Sequence, residues 1–108
     1  MGKDFVVILV TVNSPDEAKK IASSLVSEKL VACVNIIPEI NSIFHWQDKI
    51  TEEKESLLII KTKKEFFERV KNKVKELHSY QVPEIIALPI VAGSKEYLEW
   101  MEKIVVRG

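Results

Sequence analysis

The segment Phe5-Val6-Val7-Ile8-Leu9-Val10-Thr11-Val12 limits what this chain can fold into more than any other. It is apolar or β-branched at every position, so both faces of its pleat are greasy. Such a run reads as a central strand covered on both sides rather than as an amphipathic edge. A chain carrying it must build a sheet around this strand and find layers for both surfaces.

The segments that follow supply the partners. Ser14-Pro15-Asp16-Glu17 combines a Ser cap, Pro at the first helical position and Glu three after the cap, which is a helix start. Ala18, Ile21, Ala22, Leu25 and Val26 continue at helical spacing, predicting a helix from Pro15 to Lys29. Ala32 to Ile37 is a second strand, interrupted at Pro38, and its pattern resumes through Ile40, Ser42, Phe44 and Trp46. Gln47-Asp48-Lys49 reads as a turn. A third strand returns from Ile50 and ends in Leu57-Leu58-Ile59-Ile60-Lys61. Thr62 with Glu65 has the form of a second capping box. The helix behind it carries Phe67, Val70, Val74 and Leu77 on its apolar face and ends near His78. Glu84 to Val91, broken at Pro89, is a fourth strand. Gly93-Ser94 then precedes a short helix with Tyr97, Leu98, Met101 and Ile104 inward.

The order β-α-β-β-α-β plus a terminal helix is the split βαβ pattern. The predicted fold is α+β, a ferredoxin-like sandwich with a long hairpin between its second and third strands and a C-terminal helix. Residues 1–108 suffice for one domain. In that topology the first and third strands are central and the second and fourth lie at the edges. Proline cannot donate to a ladder and belongs at edges, bulges or strand starts. Pro38 and Pro89 fall in the second and fourth strands, as the assignment requires.

The hairpin carries a further consequence. Residues 39–47 extend roughly 30 Å at about 3.3 Å per residue, whereas a helix from Pro15 to Lys29 covers only about 22 Å. Part of the arm lacks intrachain cover, yet it holds Ile40, Ile43, Phe44 and Trp46. Aromatic side chains bury on the order of 150–250 Å² each, and leaving them in water on paired strands invites aggregation. A closed homo-oligomer whose hairpins extend neighbouring sheets meets that need. The alternative is a monomer whose hairpin curls back over its own sheet.

Charge and composition exclude several classes. Sixteen basic residues balance sixteen acidic ones, for a formal net charge of +0, so the basic excess of a nucleic-acid binder is missing. Leu57-Leu58-Ile59-Ile60-Lys61 lacks the stacking aromatics that RNA recognition motifs place on their third strand. The run from Phe5 is too short for a membrane span and has no small-residue cleavage pattern. Cys33 is the single cysteine, which fits a reducing compartment and a cytoplasmic protein. No Ser-His-Asp set, paired carboxylates with clear roles or cofactor fingerprint points to an enzyme.

The loop His78-Ser79-Tyr80-Gln81-Val82-Pro83-Glu84 places an imidazole, a phenol, an amide and a carboxylate at an element junction, where function is often built. His78 reads either as a helix C-terminal residue set against the dipole or as a metal ligand. Cys33, alternating with Val34 and Ile36, is a packing thiol or a soft ligand for copper(I) or mercury. Lys61 and Glu84 are strand-end charges or parts of a polar pocket at a subunit boundary, formed with Tyr80, Trp46, Tyr97 and Trp100. Those aromatics are better explained as core or interface packing. His78, Cys33 and Glu84 are thus the candidate metal donors, with copper or another divalent ion as the candidate metal and no obligatory cofactor. His45 reads as a solvated or interface residue, and the run from Asp48 to Glu55 as an exposed hairpin tip.

These residues together resemble a known family, the divalent-cation tolerance proteins CutA. The resemblance lies in Ala32-Cys33-Val34-Asn35-Ile36-Ile37-Pro38, Ser42 through Trp46, Lys49-Ile50, Glu55, Leu57 to Thr62, His78 to Ile85, Tyr97-Leu98 and Trp100. It implies a ferredoxin-like homotrimer with inter-subunit strand pairing, cytoplasmic location, a link to tolerance of copper and other divalent metals, and a poorly defined biochemical activity; the first reading is a metal-binding protein without catalysis. Trimeric ferredoxin-like architecture is shared with PII signalling proteins. The alternative is therefore a sensor binding a small anion between subunits, held by Lys61 and a helix N-terminus capped by Thr62. Two departures stand out. Asp48 occupies a turn position where members often have Gly, a substitution left-handed geometry tolerates. Val10 and Leu77 stand where members proposed to ligate copper carry Cys and His.

Overall fold

The computed structural model describes residues 4–106. Strand β1 (Phe5–Val12) pairs antiparallel with β3 (Lys49–Lys63) on one side and with β4 (Ile85–Pro89) on the other, and β2 (Cys33–Trp46) lies outside β3. The sheet order is β2-β3-β1-β4, so β1 and β3 are central as predicted. Pro89 falls on edge strand β4. Pro38 sits in edge strand β2 where the register with β3 shifts by one between Ile37 and Ile40. That shift is a β-bulge, which removes the ladder position proline cannot serve. The Ser56 hydroxyl donates to the freed Pro38 carbonyl at 2.6 Å.

Helix α1 (Pro15–Ser27) starts as the sequence predicts: Ser14 is the cap and its Oγ accepts from the Glu17 N–H at 3.2 Å. Ala18, Ile21 and Leu25 are fully buried against Val6, Ile8, Val10 and Val12 of β1 and Leu58 and Ile60 of β3. Fully burying each aliphatic side chain of this size contributes about 1.5–3 kcal/mol. Helix α2 (Phe67–Leu77) adds Val70 and Val74 to the same layer.

The start of α2 corrects one expectation. Thr62 does not cap a helix. It belongs to β3, opposite Val6, and its hydroxyl donates to the Leu30 carbonyl at 2.7 Å. A 3₁₀ turn at Lys64–Phe66 intervenes, and Phe66 caps α2 without a side-chain bond. Continued pairing of β3 to Phe5↔Lys63 outcompetes the capping box, and Phe66, absent from the expected apolar face, is buried to 2% exposure. The anion cradle expected at a Thr62 cap has no basis in this geometry.

The first strand is also covered differently from the expectation. Its even residues face α1 and α2 and are buried, whereas Val7, Leu9 and Thr11 point to the other face and are only half-buried. Side chains alternate across a strand, so this second face gathers Leu88-Val7-Lys61-Cys33 in one cross-strand row and Ile86-Leu9-Ile59-Asn35 in the next. Helix α3 (Lys95–Ile104), capped by the Ser94 hydroxyl, reaches one end of it through Tyr97 near Cys33 and Glu102 on Lys63. Elsewhere Ile86 and Leu88 remain about half exposed, at 48% and 49%.

Beyond the bulge β2 and β3 pair only with each other, from Ile40↔Glu55 to Trp46↔Lys49. The connection is a two-residue turn, Gln47–Asp48, with φ of 50° and 63°, the left-handed pair of a type I′ hairpin. Ile43, Trp46 and Ile50 on this arm stand in solvent. The radius of gyration is 14.5 Å and the long axis 46 Å, against about 13 Å for the radius of a compact chain of this length. The arm projects and does not curl back.

Candidate functional site

Helix α2 stops because His78 takes an extended conformation, φ −82° and ψ 141°. The loop it opens then crosses the end of β1. The imidazole is fully buried and both of its nitrogens are engaged. Nδ1 accepts from the Tyr80 N–H at 3.1 Å. A backbone N–H can only donate, so the ring proton sits on Nε2, which donates to the Thr11 carbonyl at 2.8 Å. Glu17, in the first turn of α1, accepts from the Ser79 N–H at 3.1 Å, and its carboxylate lies 3.4 Å from Nδ1. His78 therefore ties α2, β1 and the loop together.

Tyr80 extends the network to the base of the arm. Its ring packs against His78 at 4.8 Å, and its hydroxyl donates to Glu55 Oε2 at 2.7 Å. Glu55 is not part of an exposed tip: it is 8% exposed. The bulge sets it opposite Ile40, at the corner where the arm leaves the sheet. Burial pushes the Tyr80 phenol well above its ordinary value, reinforced by the bond to Glu55 and by the charges of Glu55, Glu53 and Glu17.

A second polar cluster lies on the other face, near α3. Cys33 Sγ is 3.5 Å from Lys61 Nζ and 3.5 Å from the Tyr97 hydroxyl, and Lys61 also donates to Asn35 Oδ1. Trp100 packs on Tyr97 at 5.4 Å. Hydrogen bonding with Cys33, then burial, then the charge of Cys33 push the Tyr97 phenol up to about 12.

Both tyrosines of the chain are thus held protonated. Alkaline titration followed by near-ultraviolet absorbance is expected to show no tyrosinate step near the ordinary value of 10, with Tyr97 ionising near about 12 and Tyr80 later. Because both folded values are raised, their contribution to stability is complete below pH 10. The Tyr97 part is lost as pH rises from there through about 12, and the Tyr80 part is lost over a range that extends higher.

The expected residues are therefore only partly gathered. Tyr80 joins Glu55, while Lys61, Tyr97 and Trp100 join Cys33. Trp46 stands near the arm tip at 59% exposure, and Glu84 is exposed just before β4. Cys33 and Lys61 are level with Val7 of β1, whereas His78 binds Thr11, about 13 Å further along the strand. One subunit does not bring Cys33 to His78. Among the described residues no group of three or more His, Cys, Asp or Glu side chains could hold a metal ion. Val10 is fully buried in the core.

Sequence reasoning missed Glu17, Asn35 and the burial of Glu55. Glu17 reads as an ordinary first-turn acid and Asn35 as a strand residue. The one local signal for Glu55 is a carboxylate directly ahead of the apolar run Leu57 to Ile60.

The chain has clear relatives. The sequence profile described as "CutA1 divalent ion tolerance protein" matches residues 6–104. The divalent-cation tolerance protein CutA of Thermus thermophilus is 50% identical over 97 residues, covering 90% of this chain and 94% of that protein. Protein CutA, chloroplastic, of Arabidopsis thaliana is 48% identical over 97 residues. The chain spans 53% of that protein's length and 90% of its own. The crystal structure of CutA1 from Oryza sativa superposes with a TM-score of 0.95 at 42% identity, over 98% of this chain and 97% of that one. No helix among the described residues is long and apolar enough to cross a membrane.

Proposed function

The chain belongs to the CutA1 divalent ion tolerance family, and on that premise we propose that it confers tolerance to divalent metals, copper foremost, by binding the ion without catalysis as a homotrimer. The observation that carries this reading is the family match across residues 6–104. Its name and that of the Thermus thermophilus relative both speak of divalent ions.

Two features support assembly. The sheet face bearing Leu9, Ile59 and Ile86 is apolar and half-covered, and the β2–β3 arm projects with Ile43, Trp46 and Ile50 in solvent. A subunit of 12.4 kDa that adds its arm to a neighbour's sheet buries both. Residence in the reducing cytoplasm accords with the free thiol of Cys33.

The donors fit copper only in part. Copper(I) favours thiolate, and Cys33 supplies one. His78 would have to surrender its bond to Thr11 or to Tyr80 before either nitrogen could ligate. A site with about three or four donors must therefore draw on more than one subunit, with Glu84 as a further oxygen donor. Wild-type protein loaded with copper under reducing conditions and desalted is expected to retain the metal. Cys33→Ser is expected to lower retention at least about tenfold. Metal-free wild-type protein after the same treatment overturns the binding proposal.

A further inference from the structure

We propose that Cys33 and Lys61 form a peroxide-responsive covalent cross-link, a sulfenamide between Sγ and Nζ that staples β2 to β3. The two residues are direct partners in the antiparallel register, and Nζ already lies 3.5 Å from Sγ. Directly opposed antiparallel residues hold their Cβ atoms about 4.5–5.5 Å apart, so the long lysine stem has slack to close the remaining gap without moving either strand. In the single subunit Cys33 is half-buried, which leaves it within reach of a small oxidant there.

Three features make this pair more than a thiol with a neighbour. Cys33 is the single cysteine, so no second thiol in the subunit can resolve an oxidised sulfur as a disulfide. Lys61 has no carboxylate partner among the described residues: its side chain bonds Cys33 and Asn35. The Tyr97 hydroxyl, 3.5 Å from Sγ, can donate to an oxygen placed on the sulfur.

The chemistry balances with hydrogen peroxide as oxidant. The Cys33 thiolate attacks one peroxide oxygen; an S–O bond forms, the O–O bond breaks, and hydroxide departs, taking a proton from the Lys61 ammonium to become water. The freed Lys61 amine attacks the sulfenic sulfur. An S–N bond forms, the S–O bond breaks, and the hydroxyl leaves as water with one nitrogen-bound proton. Sulfur is oxidised by two electrons, one peroxide is reduced, and two waters are released. Condensation of a sulfenic acid with nitrogen is an established branch of cysteine oxidation and is reversed by thiols.

The test is intact-mass and peptide-map analysis of the full chain after peroxide treatment with chelator present. Wild type is expected to lose about 2 Da relative to its reduced form, to yield a peptide joining Cys33 to Lys61, and to recover fully with dithiothreitol. Lys61→Arg removes the nucleophilic amine and keeps the charge; it is expected to gain about 16 or 32 Da at Cys33 instead. Wild type that gains oxygen as Lys61→Arg does, stays unmodified, or ends mainly as a disulfide between two copies overturns the proposal.

Discussion

Ile59→Glu is expected to split the proposed homotrimer into folded particles of 12.4 kDa. Ile59 lies on the sheet face opposite α1 and α2, between Leu9 of β1 and Asn35 of β2, and is half-buried in the single subunit. A carboxylate there still reaches water when the subunit is alone, so the fold survives. Pressed against a neighbour's apolar surface it loses that water, at a cost on the order of 3 kcal/mol or more per subunit. Three such costs in one particle exceed what rearrangement of a standard interface recovers. Sedimentation equilibrium at micromolar concentration reads the result, with far-ultraviolet circular dichroism showing that folding is intact. Wild type should sediment at three times 12.4 kDa. A wild-type monomer, or an Ile59→Glu trimer, removes the assembly proposal.

His78→Phe is expected to lower the unfolding free energy by about 2–4 kcal/mol. Phenylalanine fills the space of the buried imidazole with a slightly larger ring, so a cavity is not the cause. The loss comes from two backbone groups: the Thr11 carbonyl loses its donor and the Tyr80 N–H loses its acceptor. Each such group left unpaired in a buried site costs about 1–3 kcal/mol. Urea unfolding measures the total. Hydrogen exchange at the Tyr80 amide measures the local part, and protection there should fall with the mutation. A change under about 0.5 kcal/mol would show that His78 is not the pin the geometry describes.

Much of this fold is legible from local pattern. The Ser14 cap, the prolines at edge positions and the left-handed turn at Asp48 each follow from what one residue type can do with its own backbone. The Thr62 capping box reads equally well and is wrong. A capping motif competes with a strand ladder, and the ladder to Phe5 carries more hydrogen bonds. Loop residues His78 and Tyr80 stand out in the sequence as a polar cluster. Their partners do not: the Thr11 carbonyl lies 67 positions from His78 and Glu55 lies 25 from Tyr80, while Glu17 lies 62 from Ser79 between them.

The chain's own order of residues determined the elements, their succession and the greasy surplus of the arm and first strand, since each depends on periodicity along a few neighbouring positions. Tertiary structure alone decided which polar groups meet. The bulge at Pro38 sets Glu55 at the corner beneath Tyr80, and the β2–β3 register sets Cys33 against Lys61. A register shift of one residue exchanges every contact across a sheet while leaving the sequence pattern unchanged, so these meetings are written only in the folded pairing.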